Sequence, residues 1–188
     1  MPGGGEDGRQ IGTVAAAVNG HRAAAHRGIR ALAVTVSNRA SAGVYEDRSG
    51  PLLVSLLRSA GCAAVDGPVV VPDGEPVEAA LREAVTEGYD VVVTTGGTGL
   101  TQTDRTPEMT RRVLDTEIPG IAEAIRRAGA DAVPAAILSR GVAGLAGRTL
   151  LVNLPGSTGG VRDGMGVFAP VLAHAVDQIR GGDHPRPA

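Results

Sequence analysis

Two glycine-rich turns in this sequence have the composition of anion-binding loops. The first lies in TTGGTG and follows a run of three valines; its residues are Thr95, Gly96, Gly97, Thr98 and Gly99. Glycines let backbone N–H groups approach an oxyanion because no Cβ stands in the way, and the two threonines add hydroxyl donors. Taken alone, this stretch has a structural alternative, which is a glycine-rich turn without a ligand.

The second turn is LPGST at 154–158. Pro155 and Gly156 favour a tight turn, and Ser157 and Thr158 then supply hydroxyls at the start of a predicted long helix. The free N–H groups of a helix N-terminus bind anions. Together, the two turns predict two phosphate-bearing regions or one long anionic ligand.

Several common phosphate sites are excluded. All 18 basic residues are arginine, and the chain contains no lysine. A P-loop lysine, a Schiff-base lysine and a lysine general base are therefore impossible. The dinucleotide-binding fingerprint also fails, because position 102 is glutamine where that motif needs its third glycine.

Two carboxylates, Asp73 and Asp104, follow predicted strands beside these turns. Each has an alternative role as a turn former. Together, beside a phosphate, the two carboxylates fit one of two ligands. The first is Mg²⁺, which proteins commonly hold with one or two carboxylates and phosphate oxygens. The second is the amino-pyrimidinone edge of a pterin or guanine, which donates hydrogen bonds to a carboxylate. Asp47 is a third candidate, with capping of the next helix as an equal alternative. No nucleophile–base pair is evident, so we expect catalysis by positioning and electrostatics.

Composition restricts the setting of this chemistry. The 188 residues suit one domain, and 43% are hydrophobic, which is enough for a core. A net charge of −2 and 2% aromatic residues argue against nucleic acid or an anionic membrane as a partner. No apolar run is long enough to span a bilayer. The single cysteine, Cys62, is expected in the core and is compatible with a cytoplasmic location.

Strand and helix patterns alternate along the chain. Strands are predicted at 29–37, 66–74, 89–97 and 148–156, helices at 50–61, 75–88, 106–115, 118–129 and 159–180, and a bent pair of edge strands at 133–147. Thr106 is the expected cap of its helix. This alternation predicts an α/β fold, with a mostly parallel sheet and helices on both faces. We expect one domain at 29–180, a flexible extension at 1–28 and a flexible tail at 181–188.

In such sheets, ligands bind beyond the carboxyl ends of the strands. The residues in those positions are Ser37–Asn38–Arg39, Pro72–Asp73–Gly74, the glycine-rich turn 95–99 and the turn 154–158. We therefore expect these four turns to converge at one edge of the sheet. Arg39 and Arg140 could offset anionic charge there, although exposed salt bridges would explain them equally well.

A set of motifs resembles the Mog/MoaB-like family of molybdenum-cofactor biosynthesis proteins. The motifs are SxRxxxGxxxDxSG at 37–50, TTGGTG at 94–99, Asp104, TPE at 106–108, IPG at 118–120, LSRG at 138–141 and NLPGS at 153–157. The resemblance covers about residues 30 to 180. It implies a three-layer α/β sandwich that usually forms a homotrimer.

The resemblance also implies a function. The ligand would be molybdopterin, and the enzyme would transfer AMP from Mg-ATP to its terminal phosphate, for delivery to a molybdate-inserting partner protein. The family's functional acidic residues match Asp73 and Asp104, the TTGGTG turn would meet phosphates, and Ser157 would lie at the second turn. Asn38 stands where an aspartate is common, which weakens a role for that side chain. Thr158 stands where many members have proline, which could alter the rigidity of the loop.

Two other functions remain open from the sequence. The first is a non-catalytic molybdopterin carrier of the same family, which the retention of both aspartates disfavours. The second is a scaffold trimer, since related domains occur in receptor-clustering proteins. A carbinolamine dehydratase would need a histidine-based site, and the chain offers none.

Overall fold

The computed structural model describes residues 28–182, and these form one mixed sheet between two layers of helices. The strands are β1 (Arg30–Val36), β2 (Ala64–Val71), β3 (Val91–Thr95), β4 (Thr116–Glu117), β5 (Ala143–Ala146) and β6 (Thr149–Leu154). Their order across the sheet is β2-β1-β3-β6-β5-β4. The four neighbouring strands β2, β1, β3 and β6 are parallel, whereas β5 runs antiparallel to both β6 and β4. The predicted mostly parallel α/β fold is confirmed.

Alternate strand residues point to opposite faces of the sheet, and each face carries its own core. The helices are α1 (Asn38–Ser41), α2 (Ser49–Ser59), α3 (Glu75–Thr86), α4 (Thr106–Arg111), α5 (Pro119–Ala132) and α6 (Thr158–Ile179). Ala31, Val93 and Val152 pack with α2, α5 and α6 on one face. Leu32 and Val92 pack with α3 and α4 on the other face. Both layers bury mainly aliphatic side chains.

The predicted pair of edge strands at 133–147 is wrong. A 3₁₀ helix, Pro134–Leu138, occupies the first part, and only β5 is a strand. Pro134 lies in the first turn of the 3₁₀ helix, where its missing N–H needs no partner, whereas within a strand it would interrupt the hydrogen-bonded ladder. β4 was not predicted, because a two-residue strand depends on its partner β5 rather than on a local pattern.

The predicted cap of α4 is also wrong. Arg105 occupies the N-cap position and makes no side-chain capping bond, while Thr106 is the first helical residue. The Thr106 hydroxyl lies 3.4 Å from the Asp73 carboxylate, to which it donates. Threonine is a typical capping residue, but here its hydroxyl contacts the turn that follows β2 instead of capping its own helix.

Cys62 is buried in the core on the α2 side of the sheet. Burial, with a smaller contribution from the charge of Asp90, raises the pKa of its thiol to about 11. The predicted flexible ends fall mainly on 1–27 and 183–188, outside the described residues. Among residues 28–182, no helix combines the length and apolar character that crossing a bilayer requires.

Candidate functional site

The four predicted turns lie side by side, because they follow the adjacent parallel strands β2, β1, β3 and β6. They surround a cavity of about 810 Å³, called here the first cavity. The predicted site residues that line it are Ser37, Asp73, Thr95, Gly96, Gly97, Asp104, Gly156 and Ser157. The structure thus brings both carboxylates and both glycine-rich turns together at one edge of the sheet.

A second cavity, of about 730 Å³, adjoins the first and is more apolar. Thr98, Gly99 and Pro155, the remaining predicted residues, line it together with Leu100 and Val133. The two cavities share Gly97, Asp104, Gly156 and Ser157, called here the shared wall. A ligand in one cavity therefore lies next to a ligand in the other, with the two turns between them.

Asp73 is held by the backbone around it. Its carboxylate accepts hydrogen bonds from the N–H of Gly74 at 2.7 Å and of Arg105 at 3.0 Å. Its own N–H donates to the Asn38 side-chain oxygen at 2.9 Å. Burial raises the pKa of the Asp73 carboxyl and the nearby charge of Asp104 raises it further, although the backbone hydrogen bonds oppose both effects. Two carboxylates that line one cavity and whose charges interact favour a cation between them.

Asp104 leaves part of its carboxylate free for a ligand. Oδ2 accepts from the N–H of Thr101 at 3.0 Å and from its hydroxyl at 2.6 Å. Within the described residues, Oδ1 of Asp104 receives no hydrogen bond. The side chain is half-buried and lies on the shared wall. This position lets Asp104 face both cavities.

The two glycine-rich turns are joined to each other. The Thr95 hydroxyl donates to the Pro155 carbonyl at 2.8 Å, and the N–H of Gly96 donates to the Leu154 carbonyl at 3.1 Å. Thr95 is fully buried, so its hydroxyl connects the turns and is not a free donor, contrary to the sequence interpretation. The Ser157 oxygen accepts from the N–H of Gly160 at 3.0 Å, which leaves its hydrogen for a ligand at the start of α6.

Ser37 has a similar arrangement, since its oxygen accepts from the N–H of Ala40 at 3.1 Å and its hydrogen stays available. Asp47 lines the first cavity and also binds the start of α2, from the position before the N-cap residue Arg48. It accepts from the N–H of Gly50 at 2.9 Å and from the Thr35 hydroxyl at 2.7 Å. These contacts fix the loop that runs along the rim of the first cavity.

Arg140 does more than offset charge. Its Nε donates to the Gly99 carbonyl at 2.7 Å, one terminal nitrogen donates to the Asp104 carbonyl, and the other pairs with Glu108. Its backbone N–H donates to the Thr98 carbonyl at 2.9 Å. Arg140 therefore holds both ends of the segment between Thr98 and Asp104.

Asn153 is a supporting residue that the sequence interpretation did not single out beyond its motif. Its side-chain nitrogen donates to the hydroxyls of Thr94 and Thr110, each at 3.0 Å. All three residues are buried, so this polar group beneath the turns is satisfied internally. An asparagine within the otherwise apolar run LLVNL was the available signal.

The candidate metal site rests on two carboxylates. Residues 28–182 contain no cluster of three or more His, Cys, Asp or Glu side chains that could hold a metal ion. Mg²⁺ needs no such cluster, since one or two carboxylates, substrate phosphates and water commonly complete its coordination. Asp73 and Asp104 on one cavity therefore fit Mg²⁺ in the presence of a phosphorylated substrate.

These features define a class of protein: an α/β domain with two joined glycine-rich turns and two acidic residues at the carboxyl edge of its sheet. The chain belongs to the family described as "Probable molybdopterin binding domain", which matches residues 32–174. The resemblance to Mog/MoaB proteins predicted from the motifs is confirmed.

The similar proteins include enzymes and solved structures. A protein named molybdopterin adenylyltransferase from Haemophilus influenzae is 43% identical over 69% of this chain and 68% of its own length. The structure of the Mog protein from Mycobacterium ulcerans has a TM-score of 0.77 and 52% identity, covering 80% of this chain and 99% of that one.

A molybdenum cofactor biosynthesis bifunctional protein from Synechococcus elongatus is 34% identical over 84% of this chain and 49% of its own length. The chain spans about half the length of such bifunctional relatives. Similarity to them therefore concerns one part of a longer protein.

Proposed function

We propose that this protein is a molybdopterin adenylyltransferase, which transfers AMP from Mg-ATP to the terminal phosphate of molybdopterin. The observation that carries this proposal is the shared wall, on which both anion-binding turns and Asp104 face two adjoining cavities. A reaction between two phosphorylated substrates needs both phosphates beside the same group of donors. Relatives named for this activity support the same conclusion.

The character of each cavity suggests its substrate. The first cavity is lined by Asp73 and Asp104, which would hold Mg²⁺, and by the start of α6, which offers N–H donors; together they suit the triphosphate of Mg-ATP. The second cavity is lined largely by apolar groups, including Leu100 and Val133, and its polar lining includes Arg126, Ser139 and Asp163 besides the residues of the shared wall. Such a lining suits a flat pterin, whose amino-pyrimidinone edge donates to carboxylate oxygens.

The proposed reaction is a single displacement at phosphorus. An oxygen of the molybdopterin phosphate forms a bond to the α-phosphorus of ATP, the bond from that phosphorus to the bridging oxygen breaks, and pyrophosphate leaves. The N–H groups of Gly97 and Gly99 and the hydroxyl of Ser157 would donate to the crowded phosphate oxygens. The rate acceleration would come from positioning and charge neutralisation, because the reaction needs no covalent intermediate.

Asp73 and Asp104 would hold the Mg²⁺, together with phosphate oxygens. When bound, the ion supplies neutralisation of the triphosphate charge. Asp73 is the more firmly oriented residue, since two backbone N–H groups fix its carboxylate. Asp104 has the free oxygen and faces both cavities, so its replacement should be the more damaging to transfer.

The cellular setting follows from the family resemblance. We propose a cytoplasmic homotrimer that passes adenylylated molybdopterin to a molybdate-inserting partner protein. The bifunctional relatives support a setting in molybdenum cofactor biosynthesis, and in each of them a further part of the chain accompanies the region similar to this one.

A product assay tests the proposal. Purified protein, molybdopterin and Mg-ATP are mixed, and adenylylated molybdopterin is detected by mass spectrometry. We expect product from the wild type and about a 100-fold or greater loss with Asp104→Asn, since an electrostatic contact in the transition state is removed.

The matched control is Glu123→Gln, which removes an exposed charge on α5 that lines neither cavity. It should retain wild-type activity. Tight molybdopterin binding without product would instead support the carrier function. Equal activity in Asp104→Asn and Glu123→Gln would show that Asp104 has no role in the transfer.

A further inference from the structure

The rim of the first cavity carries an exposed aromatic ring. The chain has three aromatic residues, and Tyr89 and Phe168 are buried in the two cores. Tyr45 is 55% exposed and lines the first cavity. In a protein with so few aromatic side chains, this ring lies beside the phosphate-binding turns and takes no part in either core.

The Tyr45 ring is held in place by Arg39. The Arg39 guanidinium lies 5.1 Å from the centre of the ring, in a cation–π arrangement, and also lines the first cavity. Arg39 forms no ion pair within the described residues. Tyr45 and Arg39 thus present a ring face and a planar cation, the two surfaces on which nucleobases stack.

The loop that carries Tyr45 is anchored at both ends. At one end, the N–H of Val44 donates to the Arg39 carbonyl at 2.9 Å. At the other end, Asp47 binds the Thr35 hydroxyl and the N–H of Gly50. The ring is therefore prepositioned, which reduces the entropy lost when a ligand contacts it.

We propose that Tyr45, supported by Arg39, stacks against the base of the bound nucleotide. The inference rests on the proposed function, because it names the contact for the base of the same ATP whose phosphates meet the turns. The first cavity, at about 810 Å³, is within the usual range for small-molecule sites and has room for more than a triphosphate. Because stacking accepts any base with an aromatic face, the contact secures the base without selecting adenine.

Binding measurements with and without a base test this inference. Mg-ATP and inorganic tripolyphosphate with Mg²⁺ are titrated calorimetrically into the wild type, Tyr45→Ala and Tyr45→Phe. We expect Tyr45→Ala to weaken Mg-ATP binding about tenfold, the range for loss of one stacked ring. Tyr45→Phe keeps the ring and should bind like the wild type. Neither variant should change tripolyphosphate binding.

The neighbouring variant Val44→Ala is the matched control, since Val44 is 76% exposed on the same loop but does not line the cavity. Unchanged Mg-ATP affinity in Tyr45→Ala would overturn the proposal. An equal loss of affinity for ATP and tripolyphosphate would also overturn it, because that result indicates a displaced loop rather than a lost stacking contact.

Tyrosine fluorescence supplies a direct signature, because the chain has no tryptophan. In Tyr89→Phe, Tyr45 is the remaining tyrosine. Mg-ATP should quench its emission, and tripolyphosphate should not. Absence of quenching at saturating Mg-ATP would contradict stacking. If the wild type binds ATP through Tyr45 but forms no product, the stacking inference stands and the proposed transferase fails; if it binds no ATP, both fail.

Discussion

The Asp73 carboxylate and the Gly97 backbone occupy adjoining space in the first cavity. Gly97 has a φ of +64°, a conformation that side chains other than glycine rarely adopt. A Cβ at this position would overlap Oδ2 of Asp73 and the Thr106 hydroxyl. The glycine is therefore needed both for the turn and for the position of the carboxylate.

We expect Gly97→Ala to displace Asp73 and abolish most Mg-ATP binding. The strained backbone should also lower the free energy of unfolding by about 1–3 kcal/mol. Calorimetric titration with Mg-ATP and chemical denaturation measure the two effects. Gly166→Ala is the control: it lies exposed within α6 with open space around it, and should raise stability by up to about 1 kcal/mol. Normal ATP binding by Gly97→Ala would contradict this account of the turn.

At the scale of elements, the sequence correctly predicted those strands and helices whose local apolar pattern matches their burial in the folded structure. The valine run before Thr95 and the helix starting near Pro119 show such agreement, because apolar periodicity and burial coincide there. The segment 133–147 was misread, since its apolar residues have no single period and its one strand, β5, pairs with strands outside the segment, β6 directly after it and β4 before it. In the site, the turns were predictable from glycine and position, whereas the internal use of the Thr95 hydroxyl depends on a contact 60 residues away.

The segment between Thr98 and Asp104 depends on Arg140 for its position. Replacing Arg140 by alanine removes hydrogen bonds to the Gly99 and Asp104 carbonyls and the pair with Glu108. We expect kcat/KM for the proposed transfer to fall about tenfold or more, because bonds to a charged donor are lost next to the reacting groups. Steady-state kinetics with molybdopterin and Mg-ATP provide the measurement.

Two further variants sharpen this test. Arg140→Lys should restore little activity, since one ammonium group cannot reproduce the planar set of donors. Arg111→Ala, which removes an exposed partner of Glu117, should be nearly neutral. Full activity in Arg140→Ala would show that the segment keeps its position without the guanidinium.

At the scale of the whole molecule, the two ends of the sheet have different tasks. The site lies after the carboxyl ends of the strands, whereas a buried ion pair lies at the other end, before β3. Asp90 there accepts from the Arg180 guanidinium at 2.8 Å and from the N–H of Arg30 at 2.8 Å. The side chains of Arg180 and Asp90 are only 9% and 7% exposed. The pair ties the end of α6 to the sheet.

We expect Asp90→Asn to lower the free energy of unfolding by about 3 kcal/mol, because it removes the charge of one member of a buried ion pair. Mg-ATP affinity of the folded protein should not change, since the site is at the opposite end of β3. Urea denaturation and calorimetric titration separate the two quantities. Glu117→Gln breaks an exposed pair and should cost less than about 1 kcal/mol. A large loss of ATP affinity in folded Asp90→Asn would mean that the two ends are coupled.

The shared wall has a consequence for how a reaction cycle ends. A molecule with one group in each cavity is bound at two linked points, and the second contact forms at a high effective concentration once the first has formed. The joined product of the proposed transfer would therefore be retained more strongly than either substrate alone. Such avidity would make product release the rate-limiting step. It would also favour a partner protein that binds one half of the product while the other half is still bound in its cavity.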